Sequence, residues 1–291
     1  MEKLTFAVIG GDMRQVKLTH LLAADGHAVS AFAIDQARPE GAVLAASLQA
    51  AVKDADCVLL PLPLTRECAA LNTPLSDAVL TTDEVFTALY PEQIICAGRI
   101  TEAAHRQAAE HGLTLLDYFI REELVVANAV ATAEGAIGVA MEATSTVLLG
   151  ARALVLGFGR IGKVLTHRLL ALGVRVTVSA RNWTDLAWIA AYGYEGVHAD
   201  QLDGSLGGQD ILFNTIPHLV LDAGRLQALD RGTLCIDLSS RPGGIDFAAA
   251  ASLGIKTIWA LGLPGEVAPQ TAGVIIRDTI YNILSEQEKT L

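Results

Sequence analysis

Short apolar runs alternate along the chain with longer stretches of helical period. In the first half, Leu4–Ile9, Ala55–Leu60 and Gln93–Ala97 read as strands, and Thr101 to His111 reads as a helix between later strands. In the second half, strand patterns stand at 151–157, 174–179, 210–214, 233–238 and 256–261. Between the halves, Asn128 to Gly150 predicts a long helix capped by Asn128 or Thr132. An amphipathic stretch from Thr271 to about Glu286 predicts a final helix. Strands alternating with helices imply a parallel sheet covered on both faces.

The halves are related. An offset of 147 residues lays Leu18-Thr19-His20 over Leu165-Thr166-His167, Gly10 over Gly157, Leu22 over Leu169, Gly26 over Gly173 and Val29 over Val176. The expected fold class is therefore α/β, with two doubly wound parallel-sheet, Rossmann-like domains joined by a long helix and a C-terminal helix crossing back to the first domain. The boundaries are 1–127 for a Rossmann- or flavodoxin-like substrate-side domain, 128–150 for the linker helix, 151–270 for the nucleotide domain and 271–291 for the last helix. The cleft between two such domains is the default place for an active site.

In the second copy Gly157, Gly159 and Gly162 stand as G-F-G-R-I-G after the apolar run Ala153–Leu156 and before a helical stretch ending at Gly173. A second strand, Val174–Val178, follows in the order that a dinucleotide-binding loop requires. The first glycine permits the tight turn, the second lets a pyrophosphate approach the backbone, and the third lets helix pack on strand, with Arg160 and Ile161 in the loop as well. NAD sites carry an acidic residue about 20 positions on, whereas an Arg accommodates the phosphate of NADP. Here the strand runs into Ser179-Ala180-Arg181-Asn182, with Ser179 22 residues past Gly157 and no carboxylate. The expectation is NADP(H); the plainer reading of Arg181 is a solvated surface charge. In the first copy Asp12 and Gln15 replace the second and third glycines. That turn presents Asp12, Arg14 and Gln15 at a carboxyl strand end, as substrate contacts or as a purely structural turn.

Composition narrows the field. A formal net charge of −11 over 291 residues disfavours sequence-independent nucleic-acid or anionic-membrane binding and leaves a small anionic substrate in a locally basic pocket. The apolar window from Leu124 to Leu156 contains Glu134, Glu142 and Arg152, so it reads as buried helix followed by strand rather than a membrane span. The run Leu4–Ile9 is too short for a signal peptide. Cys57, Cys68, Cys96 and Cys235 show neither C-x-x-C spacing nor a His cluster, which implies a reduced, cytoplasmic protein without a structural metal.

Three strand ends in the second domain carry Pro- and Gly-rich loops: Asn214-Thr215-Ile216-Pro217-His218, Ser239-Ser240-Arg241-Pro242-Gly243-Gly244 and Gly262-Leu263-Pro264-Gly265-Glu266. They sit beside the expected nicotinamide position, Thr215 and Pro217 within reach of the cofactor. Arg241, flanked by Ser239 and Ser240, suits a bidentate clamp on a carboxylate, or else a salt bridge to Asp237 or Asp246. His218 is the candidate for proton transfer, against a plain surface histidine.

These segments also resemble a known family, the NADP-type, dehydrogenase-like A subunits of bacterial dipicolinate synthase. The matching pieces are A-V-I-G-G-D-M-R-Q at 7–15, T-A-E-G at 132–135, V-L-G-F-G-R-I-G at 155–162, A-R at 180–181, N-T-I-P at 214–217, D-L-S-S-R-P-G-G at 237–244 and G-L-P-G-E-V-A-P-Q-T-A-G at 262–273. The resemblance implies formation of pyridine-2,6-dicarboxylate from a dihydro- or hydroxytetrahydrodipicolinate precursor. It further implies a separate flavoprotein subunit, which carries the FMN, as partner, and the cytoplasm of the mother cell of a sporulating bacterium as location. The candidate roles are then catalysis for His218, Arg241 and Ser239, and contacts to the small dicarboxylate substrate for Arg14, Asp12, Gln15 and Ser240. Homo-oligomerisation is left open.

Two rivals share the plan. A D-2-hydroxyacid dehydrogenase usually places a catalytic His just before its last helix. The last histidine here is His218, and the corresponding segment, Leu263 to Pro269, has none. A non-catalytic NADP-binding regulatory subunit is the other.

Overall fold

The computed structural model of the chain describes residues 3–66 and 69–288; Cys68 lies outside the described residues. The chain divides into two compact units, Met1–Asn128 with Ala268–Leu291, and Ala129–Val267.

The first unit is a six-stranded, all-parallel sheet of β1 (Thr5–Ile9), β2 (Ala28–Phe32), β3 (Val43–Leu44), β4 (Cys57–Leu59), β5 (Ile94–Ala97) and β6 (Leu115–Asp117), in the order β3-β2-β1-β4-β5-β6. Four helices connect it: α1 (Met13–Ala24), α2 (Leu48–Val52), α3 (Thr82–Ala88) and α4 (Glu102–Glu110). Residues alternate between two covered faces, so strand interiors such as Phe6, Ala7, Val8 and Ile9 are all buried. Cys57, Cys96 and, in the second unit, Cys235 are buried free thiols.

α5 (Glu122–Ala143) leads out of this unit into the second. It starts and ends earlier than its sequence pattern suggested, and Asn128 and Thr132 are interior residues rather than caps. Glu122 and Glu123 in the first turn complement the helix dipole, which a search for capping hydroxyls and amides misses. By length and composition α5 is apolar enough to cross a membrane, with half of its most apolar window buried. Ala133, Ala136, Ile137 and Ala140 fill that role in the core of the second unit.

The second unit repeats the first. Its strands are β7 (Arg152–Leu156), β8 (Arg175–Ala180), β9 (Glu195–His198), β10 (Ile211–Asn214), β11 (Leu234–Asp237) and β12 (Lys256–Trp259), ordered β12-β11-β10-β7-β8-β9 and again parallel. The helices are α6 (Arg160–Ala171), α7 (Trp183–Ala191), α8 (Ala223–Gln227), α9 (Phe247–Leu253) and the short α10 (Leu263–Val267). In each sheet the order reverses beside the first strand, and that reversal opens a crevice at the carboxyl ends of the strands. α11 (Pro269–Glu288) returns to the first unit, where Ile276, Ile280, Ile283 and Leu284 pack with Leu18 and Leu22 of α1. Gly273 allows the approach, since a Cβ there would stand 2.7 Å from Lys17 Cβ.

Candidate functional site

β7 delivers the glycine loop to the crevice of the second unit. Gly157 has φ +97° and donates its N–H to the Ser179 carbonyl at 2.9 Å, and a Cβ on it would fall 2.5 Å from Thr215 Oγ1. A Cβ on Gly162 would fall 2.0 Å from the Gly157 carbonyl oxygen, so helix α6 packs on its own loop only with glycine there. Gly159 differs: it is the N-cap of α6, makes no side-chain cap bond, and a Cβ on it would meet nothing within 4 Å. The N–H groups at the start of a twelve-residue helix thus face open space, which is the arrangement that receives a phosphate. Arg160 is exposed, Ile161 half-buried in the core, and Pro217 exposed. Thr215 Oγ1 donates to the Leu156 carbonyl at 2.8 Å and so clips the end of β10 to the end of β7.

At the end of β8 the residues separate. Ser179 is buried, and its carbonyl accepts the Gly157 N–H. Arg181 is exposed immediately beyond the strand, and its carbonyl lies 2.9 Å from His198 Nε2. Asn182 caps α7, its Oδ1 accepting Asp185 N–H at 2.7 Å and its Nδ2 donating to Asp185 Oδ2 at 2.7 Å. That capping orders the turn and uses one amide hydrogen and one Oδ1 lone pair of the exposed Asn182. Sequence reasoning passed over the next residue, Trp183, which stacks on His198 at 4.8 Å with planes 20° apart.

A buried carboxylate holds the other two loops. Asp237 is fully buried at the end of β11; its Oδ1 accepts from Ser239 N–H (2.9 Å), Ser239 Oγ (2.6 Å) and Asn214 Nδ2 (2.9 Å), and its Oδ2 accepts from Gly244 N–H (2.7 Å). Asn214 Nδ2 also reaches the Ile216 carbonyl at 2.9 Å, and Trp259 Nε1 donates to the Ser239 carbonyl at 3.0 Å. One side chain therefore fixes the segments 214–218 and 239–244 together. Ser239, expected as catalytic, is a buried member of this network and has no hydroxyl to offer a substrate. Arg241 is exposed and pairs with neither Asp237 nor Asp246; its guanidinium lies 6.0 Å from the Trp259 ring centroid. Ser240 and His218 are exposed on the same loops.

The polar turn of the first unit is held by its own hydrogen bonds, although the buried Gln15 Oε1 has no partner among the described residues. Asp12 caps α1, accepting Arg14 N–H at 3.0 Å, Arg14 Nε at 2.9 Å and Arg14 Nη2 at 2.8 Å, while Nη2 also donates to the Leu62 carbonyl. Gln15 is fully buried, its Nε2 donating to the Tyr118 hydroxyl at 3.2 Å. Tyr118 in turn donates to the Leu60 carbonyl at 3.1 Å, and burial pushes its phenol far above the usual range. The substrate contact expected of Gln15 is corrected by its burial in the core, whereas Asp12 and Arg14 pair with each other at the turn and keep some exposure.

Comparison with known proteins agrees with the motif pattern. The family described as the N-terminal domain of the dipicolinate synthase A subunit matches residues 5–119. The dipicolinate synthase A subunit of Bacillus subtilis (strain 168) is 33% identical over 286 residues, covering 97% of this chain and 96% of the relative. The crystal structure of the corresponding dipicolinate synthase polypeptide from Bacillus halodurans superposes with a TM-score of 0.88 at 32% identity, covering 97% of each chain. A transhydrogenase from Sinorhizobium meliloti shares the fold, with a TM-score of 0.73 at 17% identity over 98% of this chain and 94% of its own.

Proposed function

The chain belongs to the dipicolinate synthase A-subunit family, and from that premise we propose that it binds NADP(H) on the glycine loop of its second unit and, with a flavoprotein partner, removes two hydrogens from a dihydrodipicolinate precursor, or two hydrogens and a water from its hydroxytetrahydro form, to give pyridine-2,6-dicarboxylate. The observation that carries the proposal is the open, uncapped N-terminus of α6 at Gly159, between two glycines that admit no Cβ. The dehydrogenase-type fold of the second unit makes an oxidoreductase the natural class.

The residues fit the group. Gly159 leaves the backbone bare for a pyrophosphate while Gly157 and Gly162 let the turn close on β10 and α6, and Arg181 supplies an exposed cation beyond β8 for a ribose phosphate. When bound, a nicotinamide provides a two-electron acceptor or donor of hydride. The chain's own task is orientation, because oxidation of a dihydropyridine ring that becomes aromatic is downhill once hydride and proton have somewhere to go. Asp237 and Asn214 hold the two loops at the strand ends without lending a charge to the solvent. On those loops Arg241 presents a guanidinium fork for a carboxylate, and His218 an imidazole for the proton. Following the family, the setting is the mother-cell cytoplasm of a sporulating bacterium.

The test is product formation, followed at the ultraviolet absorbance of pyridine-2,6-dicarboxylate, for this chain alone, for the flavoprotein alone and for the pair with NADP(H). The pair should produce it and this chain alone should not. Full-rate synthesis by this chain alone refutes the two-subunit reading, and absence of NADPH binding by calorimetry refutes the cofactor reading.

A further inference from the structure

The second unit carries an aromatic array beside the glycine loop, which contributes Phe158 to it. Trp188 and Tyr192 stack with centroids 5.6 Å apart and planes at 26°, Tyr192 and Tyr194 stand 5.6 Å apart at 37°, and Phe158 and Tyr192 6.5 Å apart at 53°. Trp188 is 52% exposed and Tyr192 55%, whereas Phe158 is buried in the core and Tyr194 is half-buried against it. Phe158, Tyr192 and Tyr194 wall a cavity of about 600 Å³ whose other side is α6, through Lys163, Val164 and His167, and Trp188 stacks on Tyr192 next to it.

Among the described residues no carboxylate lines this cavity. Lys163 Nζ lies 5.4 Å from the Phe158 ring centroid, and His167 Nδ1 lies 3.2 Å from the Tyr194 hydroxyl. Arg168, on the same wall, is answered by Glu134 at 3.0 Å, which leaves Lys163 and His167 as the cationic and hydrogen-bonding groups. The fold does not require this chemistry. At the 147-residue offset the first unit has Gly11 in place of Phe158 and a buried Val16 in place of Lys163. Its His20, the counterpart of His167, instead accepts the Glu40 N–H at 2.6 Å.

Flat aromatic faces select a planar ligand, and a cation at their edge selects an anion. We propose that this pocket binds a planar aromatic carboxylate, with its ring on Tyr192 and Tyr194 and its carboxylate at Lys163 and His167, apart from the N–H groups at Gly159 that face the pyrophosphate. Pyridine-2,6-dicarboxylate is one member of that class. Its choice as a probe rests on the reaction proposed above; the pocket does not.

Calorimetry on the whole chain decides the matter, using pyridine-2,6-dicarboxylate and benzene-1,3-dicarboxylate as aromatic probes and cyclohexane-1,3-dicarboxylate as a saturated control. One equivalent of either aromatic probe should bind, about tenfold more tightly than the saturated acid, and saturating NADP⁺ should leave that equivalent in place. Tyr192→Ala should weaken binding about tenfold, and Lys163→Gln, a change at an exposed position with no bearing on folding, about threefold. Probe-induced quenching of tryptophan fluorescence should vanish in Trp188→Phe. The proposal fails if no aromatic probe saturates, if the saturated acid binds equally, if NADP⁺ displaces the probe one for one, or if only the chelating pyridine probe responds. It also fails if sedimentation reveals a dimer that Tyr192→Ala dissociates, since the array would then be an interface between copies.

Discussion

Replacing Gly159 with aspartate separates cofactor binding from folding. Gly159 has φ −76° and ψ −162°, extended backbone open to any residue, and space for a Cβ. The first unit already contains the outcome, since Asp12 occupies the matching N-cap of α1 at φ −104° and ψ −163° and accepts a hydrogen bond from Arg14 N. Aspartate caps a helix better than glycine by a few tenths of a kcal/mol, and a negative charge at the N-terminus adds about 0.3–1 kcal/mol. The unliganded variant should therefore unfold at the wild-type temperature or slightly above it. Binding changes differently. The new carboxylate takes up the N–H groups meant for the pyrophosphate and repels it; two unit charges about 4 Å apart at an effective dielectric of about 20 repel by about 4 kcal/mol. That corresponds to a loss of about a thousandfold in NADPH affinity. Thermal unfolding and calorimetry on the same preparations read both quantities, and Gly162→Ala provides the contrast, losing stability because its Cβ would stand 2.0 Å from a carbonyl oxygen. A Gly159→Asp chain that holds NADPH within about threefold of wild type refutes the phosphate cradle, and one that unfolds several degrees early refutes the claim that the position is free.

Arg181→Ala should remove most of a preference for NADPH over NADH, about ten- to a hundredfold for one charge-assisted phosphate contact, and equal calorimetric affinities in the wild type would contradict the assignment. Asp237→Ala deprives the Ser239 and Gly244 N–H groups and Asn214 Nδ2 of their acceptor and should cost about 3 kcal/mol in urea unfolding; a loss below about 1 kcal/mol would show that the loops hold without it. Burial between Phe6 and Tyr281 pulls His27 below its ordinary value of 6.5, with Asp25 opposing, so the unfolded chain takes the proton more readily. Its contribution to stability is complete above pH 6.5 and is lost as pH falls through the folded value. The urea midpoint should drop between pH 7.5 and 5.5, and His27→Gln should flatten that drop; an unchanged slope in the variant would absolve His27.

Features that depend on local order along the chain were legible in the sequence. The apolar run before Gly157 and the three glycines announce strand, turn and helix because each glycine answers a steric need of neighbouring backbone. The halves' shared ancestry was visible because strands β1 and β7 and helices α1 and α6 preserve their spacing. Features set by tertiary partners were not. β9 is a half-exposed edge strand whose pattern, Glu-Gly-Val-His, carries no apolar alternation. Ser179 is buried because its face of the sheet is covered, and a residue count from Gly157 carries no information about what covers that face. Ser239 and Asn214 look like site residues in sequence, yet their partner is Asp237, brought across from an adjacent strand by the register Asn214↔Asp237. The aromatic pocket joins residues of α6 to rings that follow α7, a pairing that no single window contains.

The first unit's glycine turn follows the second only as far as its opening bond. Gly10 N–H donates to the Phe32 carbonyl at 2.8 Å, as Gly157 N–H does to Ser179 at 2.9 Å, and the acceptors are separated by the same 147 residues as the donors. The two turns then part. Gly11 N–H is taken by the Asn72 carbonyl at 2.8 Å, and a Cβ on Gly10 would fall 3.0 Å from Thr73 Cγ2, so the segment Leu71–Thr73 roofs the turn. Beneath it, Gln15 fills the place of the third glycine, and the helix terminus already has an anion in Asp12 with its own counter-ion in Arg14. Removing the aspartate alone therefore does not recreate a nucleotide site: the roof and Gln15 remain, and Arg14 is left without its partner. Asp12→Gly should cost about 1 kcal/mol, mainly the lost ion pair and cap, while dinucleotide binding stays at one equivalent with unaltered affinity. Two equivalents in calorimetry, or a changed affinity at the first, would make this turn a nucleotide site and overturn the division of labour between the two copies.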